Sequence, residues 1–189
     1  MSHYLTLPFY LPIVIMEEYM KKQSFVLILS ILCLMSLNAA TVSVLVVETG
    51  LSSGNGCTPS AMVWESGFMD TFFEAGHIVS NAPCMQIVNA FDSNADRFAS
   101  SGVLPREVNG DFDQARIGGA DFFVLVILDY KDGSTEHPQE VSIRLFSVST
   151  GDLVYETKVA ARIWINSDEE FLDAKNHAGK VIPQLSKKG

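Results

Sequence analysis

The chain has 189 residues, 48% of them hydrophobic, and sets 22 Asp and Glu against 13 Lys and Arg for a formal net charge of −9 at pH 7. Acidity without a basic stripe argues against nucleic acid and anionic membrane surfaces as partners, and fits a protein whose ligands are small molecules or other proteins. The length suffices for one domain with a real core once a leader is set aside.

That leader is residues 20–40. Met20-Lys21-Lys22-Gln23 is a charged start, Ser24 to Leu37 is an apolar run of h-region length, and Asn38-Ala39-Ala40 offers small residues to a signal peptidase, with cleavage expected at Ala39 or Ala40. The run stops short of the roughly 20 apolar residues a membrane span needs; an uncleaved amino-terminal anchor is the alternative. Residues 1–19 carry Pro8 and Pro12, which interrupt a helix, and Glu17 and Glu18 where a signal peptide is basic. They read as a start-site miscall ahead of Met20. Cys33 follows Ser30-Ile31-Leu32 and lacks the small neighbour a lipobox requires. The expected product begins near Thr41 as a single α/β domain over residues 41–189, exported to the periplasm or, alternatively, outside the cell.

Two cysteines remain after processing, Cys57 and Cys84. In an oxidising compartment an even pair reads as a disulfide, which would contribute about 3–4 kcal/mol in the chain-entropy model. Two buried free thiols are the alternative. Neither sits in a CxxC motif, which argues against disulfide-exchange chemistry.

Thr41 to Thr49 (TVSVLVVET) has the near-continuous apolar, β-branched pattern of a strand covered on both faces. A Gly/Ser-rich loop, Gly50 to Ser60, follows. Ser60 or Thr58 then caps a helix through AMVWESGFMDTFFEA, where Trp64, Phe68, Phe72 and Ala75 form a stripe widened by Met69 and Phe73. Gly76 ends that helix, and His77 to Ser80 begins a second strand. The stretch from Asn81 to Gly110 gives only short apolar pieces. A helix from Asp111 to Ile117 stops at Gly118-Gly119, and Asp121 to Tyr130 (DFFVLVILDY) is a second strand buried on both faces. After the loop Lys131 to Pro138, Val141 to Ser149 alternates, with Val141, Ile143 and Leu145 on one face and Ser142, Arg144 and Phe146 on the other. Thr150-Gly151-Asp152 turns it into a partner over Leu153 to Ile165. Ser167-Asp168-Glu169-Glu170 resembles a capping box opening a last helix to about Leu185, with Pro183 fraying its final turn. The order β-α-β-(α)-β-β-β-α predicts an α/β (α+β) fold, a single mixed β-sheet of about five strands with helices packed on it.

Three features in this order resemble a family of bacterial envelope domains. A first strand runs through a loop into a long helix. Gly119-Ala120-Asp121 leads into a long apolar strand. Ile143-Arg144-Leu145-Phe146-Ser147-Val148-Ser149-Thr150-Gly151-Asp152-Leu153-Val154 is similar to that family's strand, Thr-Gly turn, strand hairpin. The family includes the amino-terminal domain of TolB, the globular part of CsgG, and LpoB, and the resemblance covers most of residues 41–185. It implies a non-enzymatic adaptor or scaffold domain that docks envelope proteins. The chain lacks the propeller of TolB, the amphipathic hairpins of the CsgG barrel and a lipidated Cys.

No catalytic, cofactor-binding or metal-binding motif stands out. The Gly50–Ser60 loop lacks the Lys of a phosphate-binding loop, and Gly54-x-Gly56 is followed by Pro59 where a dinucleotide fingerprint needs a third Gly. Asp70, Glu74 and His77 share a helical spacing but read as a solvated face, and Asp129 with Asp132 reads as turn chemistry. His137 falls in a turn and His177 on the exposed side of the last helix. No GxSxG elbow or Cys-His motif is present. The resulting expectation is no catalytic site, no cofactor and no metal, with an envelope protein as partner. The alternative is a small periplasmic ligand-binding protein or hydrolase with a site near residues 70–110.

Overall fold

A computed structural model describes residues 39–51, 56–87, 104–130, 137–160 and 163–186. The leader up to residue 38, including Cys33, and most of the 81–110 stretch therefore lie outside the described residues, as do Asp132 and the centres of the 50–60 and 131–138 loops.

The strands are β1 (Thr41–Thr49), β2 (Ile78–Asn81), β3 (Met85–Ile87), β4 (Phe122–Asp129), β5 (Glu140–Ser147) and β6 (Leu153–Ala160). The helices are α1 (Pro59–Glu74), α2 (Asn109–Ile117), preceded by a 3-10 turn at Arg106–Val108, and α3 (Ser167–Leu185). One mixed sheet runs β2-β1-β4-β5-β6, with β3 also on β1. The expected mixed α/β layout holds, with six strands rather than about five. The extra one is β3, three residues inside the stretch that sequence reads poorly. β2 pairs parallel with Thr41–Val44 and β3 with Val47–Thr49, so the two make one interrupted edge. Pro83, which has no N–H, sits in the gap, while the Ala82 amide still reaches the Val44 carbonyl at 2.9 Å.

β1 and β4 lie side by side, parallel, in the middle of the sheet, and β4-β5-β6 is an antiparallel meander. Because side chains alternate, two cores form. On one face Val42, Val44, Val46, Val124, Val126, Ile143 and Leu145 pack under Trp64, Phe68 and Phe72 of α1 and Ala174, Ala178 and Val181 of α3. On the other, Leu45, Val47, Phe123, Leu125, Ile127 and Phe146 pack against Val108, Phe112 and Ala115. Both faces of β5 are buried, Arg144 included, and its Nε donates to Glu156 of β6 at 2.8 Å.

The first helix is capped by Thr58, whose side chain accepts the Ala61 amide, and Gly76 follows it with φ +86°. Its apolar stripe is narrower than its spacing suggests, because Phe73 is 75% exposed. β6 ends at Ala160 rather than reaching Ile165, and Ile163 and Ile165 are exposed on either side of a buried Trp164. α3 is capped one residue earlier than expected: Asn166 accepts from the Glu169 amide, and the Glu169 carboxylate accepts from the Ile165 amide. It also continues through Pro183 to Leu185 rather than fraying there.

α1 and α3 approach closely at Gly67. A Cβ built there would lie 2.7 Å from the Ala174 Cβ and 3.3 Å from backbone atoms of Phe171 and Lys175. Gly67→Ala therefore sets a helix-propensity gain of about 1 kcal/mol against overpacking worth about 1–3 kcal/mol. We expect net destabilisation by about 1 kcal/mol in urea unfolding; a more stable Ala variant would contradict the close crossing.

Candidate functional site

Parallel strands end together in an open α/β sheet, and the loops leaving their carboxyl ends are where such folds place sites. Here β1 ends at Glu48-Thr49 and β4 at Asp129-Tyr130, beneath the start of α1. Gly50 turns the chain away at φ +80°, and a side chain there would run into the Tyr130 carbonyl, so only glycine fits.

Glu48 is the residue that sequence reading missed. It shares the face of Val42, Val44 and Val46 and has no solvent exposure. A carboxylate in that position needs several donors. Its Oε1 accepts from the Thr58 hydroxyl and from the Tyr130 hydroxyl at 3.1 Å. Its Oε2 accepts from the Thr58 amide at 3.1 Å and from Gln86 Nε2 at 2.9 Å. The Tyr130 and Thr58 hydroxyl oxygens are themselves 2.9 Å apart. Burial pushes the Tyr130 phenol well above its ordinary value, with the Glu48 charge adding to the rise, so the hydroxyl stays protonated as a donor. Gln86 also donates to the Gly56 carbonyl at 2.6 Å. One carboxylate thus joins the end of β1, the cap of α1, the end of β4 and the edge strand β3.

A covalent bond runs beside it. Cys57 and Cys84 are disulfide-linked, with Cα atoms 6.2 Å apart at a sequence separation of 27. The bridge ties the α1 cap to the β2–β3 edge, the same two elements that Gln86 and Glu48 connect. In the chain-entropy model a loop of this size is worth about 3–4 kcal/mol.

A second buried acid lies where α1 meets α3. Glu170, 5% exposed, accepts from Ser60 Oγ at 3.2 Å and Trp64 Nε1 at 3.0 Å. Aromatic rings surround this contact. Trp64 stacks on His177 at 6.0 Å and meets Trp164 edge-on at 6.1 Å, and His137 packs edge-on against Trp164 at 6.1 Å. The expectation that His177 faces solvent is corrected: it is 6% exposed, because Trp64 fills the space beside it. His137 and Trp164 pack together as part of the same cluster rather than leaving His137 in a free turn.

The Asp70, Glu74 and His77 set does not converge. Asp70 is exposed, Glu74 takes the Lys175 ammonium at 2.8 Å, and His77 Nδ1 accepts the Ala40 amide at 3.1 Å. Burial lowers the His77 pKa, consistent with a neutral ring accepting that bond. Asp129 accepts from the Thr49 hydroxyl at 3.3 Å across the β1–β4 pair. At the opposite end of the sheet from Glu48, Thr41 donates its amide to the Asp121 carboxylate at 2.8 Å.

Burial raises the Glu170 pKa above its ordinary 4.5, partly offset by the Ser60 and Trp64 hydrogen bonds. Between the unfolded and the folded pKa, the folded chain holds a proton that the unfolded chain has released. Its contribution to stability is full below the unfolded pKa and is lost as pH rises through the folded one. Chemical denaturation from about pH 4 to pH 7 should show the wild type losing stability relative to Glu170→Gln as pH rises. A difference that does not change with pH would contradict this.

No family model matches the chain, and no curated protein matches it. Among solved structures it is similar to the PelC dodecamer from Paraburkholderia phytofirmans, at 19% identity and a TM-score of 0.41 over 80% of this chain and 91% of that one. It is also similar to the LpoB C-terminal domain from Escherichia coli, at 15% identity and a TM-score of 0.37 over 66% of this chain and 84% of that one. A third is TolB from Acinetobacter baumannii, at 10% identity and a TM-score of 0.37 over 78% of this chain and 28% of that one. Two of the proteins that the sequence resembles, LpoB and TolB, recur in this set. At these TM-scores the likeness describes a general layout and carries no argument about function.

Proposed function

We propose that the chain is a non-enzymatic envelope module, exported to the periplasm as residues 41–189, that acts as an adaptor or scaffold by docking another envelope protein. The observation that carries this reading is the use made of the polar groups at the loop end of the sheet. Glu48, Thr58, Tyr130 and Gln86 bond to one another, and the disulfide closes the same junction. These groups brace a platform from which the 50–60 and 131–138 loops leave. A braced platform favours recognition with little change of shape.

The sheet edges offer a second mode of docking, by strand addition. β6 pairs with β5 alone, and the β2–β3 edge with β1 alone, among the described strands. Glu156 and Lys158 on β6 are the kind of charged residues that keep an edge from pairing indiscriminately. The acidic charge of −9 supports a protein partner over nucleic acid. No helix among the described residues is long and apolar enough to cross a membrane.

Photo-crosslinking in intact cells tests the proposal. A crosslinker placed in the 52–55 or 131–136 segment, or at Lys158, should capture one defined envelope protein, while the same group at exposed Asp113 on α2 should not. The copy of this chain in the crosslinked product should begin near Thr41. Labelling no stronger than at Asp113, or a product retaining residues 1–40, would contradict the reading.

A further inference from the structure

The Glu48 carboxylate and the two sulfurs of the disulfide form a compact group: one ligand atom from each of Glu48, Cys57 and Cys84 lies within 4.8 Å of the others. We propose that, when the disulfide is reduced, these three side chains form a site for a thiophilic divalent cation of the Zn²⁺ class. In the oxidised chain the sulfurs are bonded to each other and the cation has no thiolate to bind. The bridge and the metal are therefore alternative closures of one junction.

Charge and geometry carry the argument. Once a cation displaces the two thiol protons, two thiolates and the buried Glu48 carboxylate surround it. Every hydrogen-bond donor to Glu48 among the described residues is neutral: the Thr58 amide and hydroxyl, the Tyr130 hydroxyl and the Gln86 amide. A dication balances that charge with no cationic side chain bonded to Glu48, and two sulfurs with one carboxylate oxygen make a donor set suited to zinc. Tetrahedral zinc at about 2.3 Å from sulfur and about 2.1 Å from oxygen sets its ligand atoms about 3.6–3.8 Å apart, inside the 4.8 Å that bounds this group. The sulfurs must also part from bonding distance, which rotation of the two side chains supplies. The Thr58 and Tyr130 hydroxyls hold Glu48 Oε1, which also lies 3.3 Å from the Thr58 amide, and would orient the carboxylate from outside as Oε2 passes from that amide to the metal. Gln86 Nε2, held between Glu48 Oε2 and the Gly56 carbonyl, stays a donor, and water takes the fourth position.

The redox step balances with an external dithiol as reductant. Two electrons and two protons pass to the Cys57 and Cys84 sulfurs while the dithiol closes to its own disulfide. Metal binding then forms two metal–sulfur bonds and releases the two thiol protons to solvent.

The test is titration of the purified protein, reduced, freed of reductant under anaerobic conditions, with Co²⁺ and then with competing Zn²⁺. The expected result is a sulfur-to-cobalt charge-transfer band saturating at one equivalent, displaced by Zn²⁺ and absent from the oxidised protein. Cys57→Ser should weaken binding more than a hundredfold, and Glu48→Gln by about tenfold. If the reduced, metal-free chain has lost its fold, Zn²⁺ must restore the melting transition seen by circular dichroism. The assignment is overturned by absence of the band, by failure of Zn²⁺ to restore a lost fold, or by a Glu48→Gln variant that binds as tightly as the wild type.

Discussion

A carboxylate shut away from water must find its hydrogen bonds inside the fold, and Glu48 finds them in elements distant from one another in sequence. Thr58 lies ten positions on, Gln86 thirty-eight and Tyr130 eighty-two. Removing such a residue would take away the acceptor that four donors share, and each donor left unpaired costs about 1–3 kcal/mol. The acid therefore dictates where α1 begins, where β3 meets β1 and how far β4 runs. The disulfide adds a covalent constraint to the same meeting point rather than to a new one.

The two ends of the sheet differ accordingly. At the amino end of β1, contacts are few and local to the strand starts: His77 with Ala40, and Asp121 with Thr41. At the carboxyl end, polar groups buried under α1 continue from Glu48 through Thr58 to Ser60 and Glu170, which ties α3 to the same helix. The helices over this face are thus positioned by two buried acids as well as by Trp64, Phe68 and Phe72. The opposite face, under α2, has an apolar core, with Arg144 joined to Glu156 at its β5–β6 margin. This asymmetry is what motivates the proposal that recognition lies at the loop end.

Much of this architecture is legible in sequence. The continuous apolar runs of β1 and β4, a start of α1 at Ser60 or Thr58, its Gly76 stop, and the Thr-Gly hairpin all follow from local chemistry that needs no tertiary information. β3 is not legible, because three residues after a proline acquire strand character only from the ladder that β1 offers. His177 was equally hidden: its burial depends on Trp64, which comes from another helix. Glu48 is the most instructive case. One acid near the end of an apolar strand carries no local mark of what it bonds to, and only Tyr130 and Gln86, brought in from β4 and β3, make it an interior residue. Pattern identifies faces; it does not identify partners across a fold.

Amide hydrogen exchange in the wild type and in Glu48→Ala, both with the disulfide intact, tests the central role of this carboxylate most directly. Exchange should accelerate together at Thr58 and along β3 at Met85–Ile87, while the β4–β5 ladder stays protected. Unchanged protection at Thr58 and β3, or uniform loss across the sheet, would contradict the claim that Glu48 pins these elements to one another.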